Sequence, residues 1–262
     1  MANNNPIGIF DSGVGGLSVA RSIRDTLAGE DLLYIADSLH APYGDKSPAF
    51  VTERACSLVE FLLARNAKAI VVACNTATVS TIQQLRQHFS VPIIGVEPGV
   101  KPAASQTQSG VVGVLATEQT VNSESFKRLV ARFNGHAQIE IQACPGLAEQ
   151  VEKMAVDTQE TQALLHSYLS PLIAKGADTI VIGCTHYSFL VPLIRRMLGA
   201  DVRVLDTHMA VAKEVARRLQ QENIATSKEL SSSHCFWTSD DVTGASELFS
   251  TLWGAPLRVS AL

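Results

Sequence analysis

The chain has 262 residues, 46% of them apolar and 18% charged, with a formal net charge of −4. That apolar content supports a sizeable core in one large or two modest domains and excludes a disordered chain. No run of Lys or Arg marks a phosphate-binding surface, so no nucleic-acid partner is expected.

The N-terminal stretch "MANNNPIGIF" has neither the basic nor the apolar region of a signal peptide. No run of about 18 apolar residues occurs, so no membrane span is expected. Five cysteines at loose spacing do not read as a disulfide framework, and a reducing cytoplasm is the expected compartment.

Short Val- and Ile-rich runs at 7–10, 32–36, 69–73, 91–96, 111–116, 138–143, 179–183, 202–205 and 234–238 predict strands. Residues 48–65 place Val51, Ala55, Leu58, Val59 and Leu62 on one helical face. Residues 208–220 do the same with Val211, Val215, Ala216 and Leu219. Alternating strands and helices predict parallel sheet with right-handed crossovers.

A weak internal repeat runs through the pattern. Ile70–Cys74 matches Ile180–Cys184, "VEP" at 96–98 matches "LDT" at 205–207, and "GIFDS" at 8–12 matches "GVLAT" at 113–117. The expected fold is α/β, with two pseudo-symmetric lobes and an active site in the cleft between them. Each lobe is a mainly parallel sheet flanked by helices. Residues 1–97 plus 208–262 form the first, discontinuous lobe, and 98–207 the second. The Gly- and Pro-containing segment 95–110 is the expected crossover. After 208, one strand and two helices are expected.

The repeat puts Cys74 and Cys184 at equivalent strand ends, where parallel α/β sheets bind ligands. Asn75, Thr76 and Thr185 follow them as good helix N-caps, and the helix dipole favours a thiolate there. A single Cys in such a run is usually a small buried residue, but repetition at matching places argues otherwise. Cys56, Cys144 and Cys235 have no such context, and the buried structural reading stands for them.

In "GIFDSGVGGLSV" (8–19), a strand feeds a Gly-rich turn and a helix, and Asp37 follows a later strand. The glycines miss the dinucleotide spacing, because the last position is Ser18. The other reading is a backbone nest that holds a small anion, such as a carboxylate. Asp11 and Ser12 then lie on the same rim as Cys74. In "PYGDKS" (42–47), Tyr43 and Gly44 offer a hydroxyl and a backbone donor, though a plain turn explains the segment equally well. His186 sits two residues after Cys184, which is not a zinc-ligand spacing, and no C-x-x-C occurs, so no metal is expected. Glu152, beside Glu149 and Lys153, reads by default as part of a solvated helix face.

Together these blocks resemble the glutamate racemases of the aspartate/glutamate racemase superfamily. "FDSGVGGLSV", "YIADSLHAPYGDKS", "ACNTAT", "VEPGVKPA", "VLATEQTV" and "GCTHY" occur in the family's order and span residues 7 to about 208. The resemblance implies cofactor-independent interconversion of L- and D-glutamate, which supplies D-glutamate for peptidoglycan. It implies Cys74 and Cys184 as the two acid/base groups, Asp11 and His186 as their respective assistants, and Glu152 as an aid to the relay. Substrate contacts implied by motif are Asp11, Ser12, Tyr43, Gly44, Asn75, Thr76, Thr117, Thr120, Thr185 and His186. The implied partner is the small-molecule substrate. A homodimer and a small-molecule effector are left open. Ser188, His208 and "LHA" (39–41) depart from the family pattern and put loop details in doubt. On the residues alone, a non-catalytic binder of small carboxylates and a nucleotide-binding enzyme stay open.

Overall fold

The computed structural model describes residues 3–133, 135–228 and 232–262. Its strands are β1 (Ile7–Asp11), β2 (Leu32–Ala36), β3 (Ala69–Val72), β4 (Ile93–Gly95), β5 (Val111–Ala116), β6 (Gln138–Ala143), β7 (Thr179–Ile182), β8 (Arg203–Leu205), β9 (His234–Thr238) and β10 (Val259–Ala261). Every residue of β1, β2, β3 and β7 is buried. Central parallel strands are covered on both faces, so they read as unbroken apolar runs rather than alternating ones. β6, by contrast, lies at a sheet edge, and all its residues are half-buried or exposed.

The chain divides into two units, Met1–Val96 with His208–Leu262, and Glu97–Thr207. The first unit holds a six-stranded sheet of order β10-β9-β2-β1-β3-β4. The second holds a four-stranded sheet of order β6-β5-β7-β8. All pairings in both are parallel. The order β2-β1-β3-β4 therefore recurs as β6-β5-β7-β8.

The repeat holds at the level of single hydrogen bonds. In the first unit Ala73 N donates to Phe10 O (2.8 Å), and Asp37 N to Asp11 O (3.0 Å). In the second, Gly183 N donates to Leu115 O (2.8 Å), and Cys144 N to Ala116 O (3.0 Å). Ala73 and Gly183 each precede a cysteine. Cys74 and Cys184 thus occupy the same place in the two sheets, and Asp11 has Ala116 as its counterpart.

The helix Pro48–Leu63 buries Val51, Ala55, Leu58, Val59 and Leu62. It starts where Ser47 accepts from Phe50 N (3.3 Å) with Pro48 in the first turn, both favourable there. The helix His208–Gln221 buries Val211, Ala212, Val215 and Leu219. Ala212 replaces the expected Ala216, which is half-buried. The segment after 208 also holds β10, a strand that the sequence pattern does not announce. Three residues at a sheet edge, two of them exposed, carry no usable periodicity.

Candidate functional site

In each unit the strand order reverses beside the first strand: β1 has β2 on one side and β3 on the other, and β5 has β6 and β7. Such switch points, at the carboxyl ends of strands, are where open α/β sheets hold ligands. Asp11 ends β1, Cys74 follows β3, Thr117 follows β5 and Cys184 follows β7. The repeat therefore delivers a cysteine to each switch point.

In the first unit, Cys74 is itself the N-cap of the helix Asn75–His88, with extended backbone geometry. Its Sγ accepts from Ala77 N at 3.4 Å. Asn75 and Thr76 are thus the first helical residues and not the cap. A sulfur at the head of a 14-residue helix takes an amide donor and the positive end of the dipole together. The Cys74 thiol is 3.7 Å from Ser12 Oγ, and Ser12 Oγ is 3.3 Å from Asp11 Oδ1. Asp11 and Ser12 are both buried.

The Gly-rich turn closes around Asp11. Its carboxylate accepts from Ser12 N (2.7 Å) and Gly16 N (2.5 Å). Two amides of the expected anion nest therefore hold the protein's own carboxylate. Gly16 is required by space, since an added Cβ would lie 2.7 Å from Asp11 Cβ and 3.0 Å from Ala73 Cβ. Asn75 is buried, with its amide donating to Val96 O (3.4 Å), and Thr76 is buried beside it.

Tyr43 is buried in the cluster that contains Cys74, with Gly44 next to it half-buried. The Tyr43 hydroxyl donates to Asp37 Oδ2 at 2.6 Å. Asp37 is fully buried and also takes a two-pronged Arg54 (2.9 and 2.7 Å) and His40 Nδ1 (3.0 Å). Burial alone would raise the Asp37 carboxyl; hydrogen bonds from Arg54, Tyr43 and His40 outweigh it and hold the group below the usual range. Burial, then the Asp37 charge, push the Tyr43 phenol far above its ordinary value, so it stays protonated. Asp37, which sequence places after a later strand, is committed to this clamp. Sequence reasoning passed over Arg54, because no local signal tells a buried partner from a solvated helix charge.

In the second unit, Cys184 Sγ is 3.9 Å from His186 Nδ1, and His186 Nε2 is 2.6 Å from Glu152 Oε1. Cys184, Thr185 and His186 are buried. The default reading of Glu152 as a solvated helix face is overturned: its side chain is 22% exposed and faces the histidine. Glu152 ends the helix Leu147–Glu152, far from His186 in sequence, so no local pattern links them. Thr185 is not a side-chain cap, because its backbone is already helical. Gly183 has no room for a Cβ, which would lie 2.7 Å from Leu115 O.

Thr117 caps the helix Glu118–Asn122, accepting from Thr120 N (3.3 Å) and donating to Thr120 Oγ1 (2.9 Å). Cys144 is buried, and burial, then nearby Cys184, push its thiol up, in keeping with a structural role. Cys235, expected to be buried, is exposed on β9, and Cys56 is half-buried. Among the described residues, no three His, Cys, Asp or Glu side chains cluster as metal ligands. No helix among them is long and apolar enough to cross a membrane.

Two parallel sheets of repeated order, each with a cysteine at its switch point, define a class. Residues 7–215 match the Asp/Glu/hydantoin racemase family. Sequence relatives narrow it further. The glutamate racemase of Methylococcus capsulatus is 47% identical over 260 residues, covering 99% of this chain and 96% of that one. That of Cupriavidus pinatubonensis is 50% identical over 223 residues, covering 85% and 82%. Glutamate racemase isoform RacE1 of Bacillus anthracis superposes with a TM-score of 0.91 at 34% identity, covering 99% and 98% of the two chains. The Escherichia coli glutamate racemase, solved with L-glutamate and the activator UDP-MurNAc-ala, gives a TM-score of 0.87 at 34% identity, covering 98% and 97%. The chain belongs to the glutamate racemases of the Asp/Glu/hydantoin racemase family.

Proposed function

We propose that this protein interconverts L- and D-glutamate by a cofactor-independent, two-thiol proton transfer, and that it supplies D-glutamate for peptidoglycan in the cytoplasm. The observation that carries the reading is the pair Cys74 and Cys184, at equivalent strand ends of a repeated sheet, each with its own polar neighbours. A binder of small carboxylates needs no such pair. The loose spacing of the five cysteines fits a reducing compartment.

Racemisation removes the α-proton from one face of the carbon and returns a proton to the other, so each face needs its own acid/base group. In the D-to-L direction, the Cys74 thiolate takes the α-proton. The electron pair left on the carbon spreads into the adjacent carboxylate. The Cys184 thiol then gives its proton to the opposite face. The enzyme ends with Cys74 protonated and Cys184 ionised, which is the form that accepts L-glutamate. One thiol must be ionised while the other is protonated, so their titrations belong to the pair.

The local chemistry fits this division. Ala77 N–H points at the Cys74 sulfur as it would at a thiolate, and Ser12 links that sulfur to Asp11. Glu152 holds His186, which faces Cys184. Gly44, Asn75, Thr76, Thr117, Thr120 and Thr185 supply hydroxyls and amides for the two substrate carboxylates. Tyr43, whose hydroxyl donates to Asp37, is a further substrate contact by motif.

The test is a racemisation assay with both glutamate enantiomers and with aspartate, no cofactor added, run in D₂O. Glutamate is racemised, and deuterium enters the α-carbon of product. Cys74→Ala and Cys184→Ala each abolish racemisation and keep the wild-type unfolding profile. Full activity in either variant would overturn the two-thiol mechanism.

A further inference from the structure

From its hydrogen bond to the turn that carries Asp11, we infer that Tyr34 is a positioning residue for the Cys74 half of the reaction. The inference rests on the two-thiol reading above. Tyr34 lies in β2, in register with Ile9 of β1 and with Phe236 of β9. Its side chain is fully buried. The ring packs edge-on to Phe249 (centroids 6.0 Å apart) and tilted to Phe236 (6.3 Å). The hydroxyl donates to Gly13 O at 2.7 Å.

That carbonyl belongs to the turn whose Ser12 and Gly16 amides grip Asp11. The Tyr34 hydroxyl also lies 3.1 Å from where a Gly16 Cβ would stand, beside Asp11 Cβ and Ala73 Cβ. One hydroxyl thus sits under the turn at the point where Asp11, Gly16 and the strand leading to Cys74 converge. From Tyr34 the contacts run through Gly13 to Ser12, and Ser12 faces the Cys74 sulfur at 3.7 Å. A ring wedged between aromatic neighbours has little freedom, so its hydroxyl fixes the carbonyl at low entropic cost. A buried carbonyl stripped of its donor shifts to find another, and the turn shifts with it. Cys184 and His186 belong to the other unit, where Glu152 holds the histidine.

The experiment is Tyr34→Phe, which keeps the ring and removes the oxygen. L- and D-glutamate have equal free energies, so kcat/KM must be the same in both directions for any variant, and its fall alone identifies no half-reaction. Primary isotope effects do. The wild type and Tyr34→Phe are assayed with D- and L-glutamate deuterated at the α-carbon. Expected is a fall in kcat/KM of about five- to tenfold, the range of one neutral buried hydrogen bond. The isotope effect on kcat/KM should rise with deuterated D-glutamate, whose proton goes to Cys74, and fall with deuterated L-glutamate.

A loss of folded protein lowers kcat/KM and leaves both isotope effects unchanged, and that outcome would overturn the inference. Unaltered kcat/KM would overturn it too. Phe126→Leu, in the core of the other unit, leaves Tyr34 and its aromatic neighbours unchanged. It should lower thermal stability and leave the isotope effects at wild-type values, and a shift like that of Tyr34→Phe would show that lost stability, not the hydroxyl, is the agent. If the wild type itself fails to racemise glutamate, the proposed function falls, and that result is read before any variant is compared.

Discussion

Glu152 Oε1 stands 2.6 Å from His186 Nε2, and the other ring nitrogen of His186 faces Cys184 Sγ at 3.9 Å. A carboxylate, an imidazole and a thiol thus form a line in the second unit. The line in the first unit is built differently: Cys74 meets Ser12, and Ser12 meets Asp11. The repeated sheet supplies equivalent sulfurs and the loops supply unequal partners. The cause is visible at one position, since the counterpart of Asp11 is Ala116, whose methyl side chain has no polar atom to offer.

Glu152→Gln keeps the shape and removes the charge that faces His186. A hydrogen bond to a charged group contributes about 1.5–3 kcal/mol, so kcat should fall by about one to two orders of magnitude. The loss should fall on kcat more than KM, because Glu152 reaches the thiol only through the histidine. Steady-state kinetics in both directions check this, with an isotope effect that rises for deuterated L-glutamate. A variant with wild-type kcat would leave Glu152 a structural residue.

Lys68 and Glu30 form an ion pair at 2.6 Å with side chains only 1% and 3% exposed. Lys68 Nζ also donates to Asn3 O (2.6 Å), and Glu30 Oε1 accepts from Thr226 N (2.8 Å). The pair joins the N-terminal segment, the start of β3 and the chain before β9. Lys68→Met strands a buried carboxylate and should destabilise the protein by about 3–5 kcal/mol. Replacing both partners with apolar residues should cost much less, because no charge is then left alone. Urea unfolding of the single and double variants measures the difference.

Asp178 precedes β7 and takes four donors: Thr107 Oγ1 (2.6 Å), Gln108 N (2.6 Å), Ser109 N (2.7 Å) and Thr179 Oγ1 (2.9 Å). Burial works against ionisation, and the donors outweigh it, bringing the carboxyl from the usual 3.8 down to about 2. A folded-state value below the unfolded one stabilises the protein in full above about pH 4. That contribution is lost as pH falls from about 4 toward 2. Asp178→Asn should lower stability at neutral pH and narrow the gap from the wild type below pH 4. Thermal unfolding between pH 2 and 7 shows this, and a gap that stays constant with pH would contradict it.

Much of this protein is legible in its sequence. β1, β2, β3 and β7 are unbroken apolar runs because parallel strands are buried on both faces, and such runs announce themselves. The matched runs ending at Cys74 and Cys184 disclose the repeat and the two sulfurs, since a strand carries its end residue wherever the sheet goes. The helix Pro48–Leu63 follows from its apolar face.

Tertiary structure decided the partners. Glu152 and His186, Asp37 and Arg54, and Tyr34 and Gly13 meet only because separate strands and helices pack together. A charge on a helix looks the same in sequence whether water or a buried carboxylate receives it. The Gly-rich turn shows the same limit: its glycines could be seen, but not that its amides close on Asp11. Sequence by itself determined the buried central strands and the cysteine that follows two of them, because those properties depend on neighbours along the chain. Motif resemblance names Asp11, His186 and Glu152 beside the two sulfurs, but the contacts that link them depend on distances across the fold, and only the packed structure shows those.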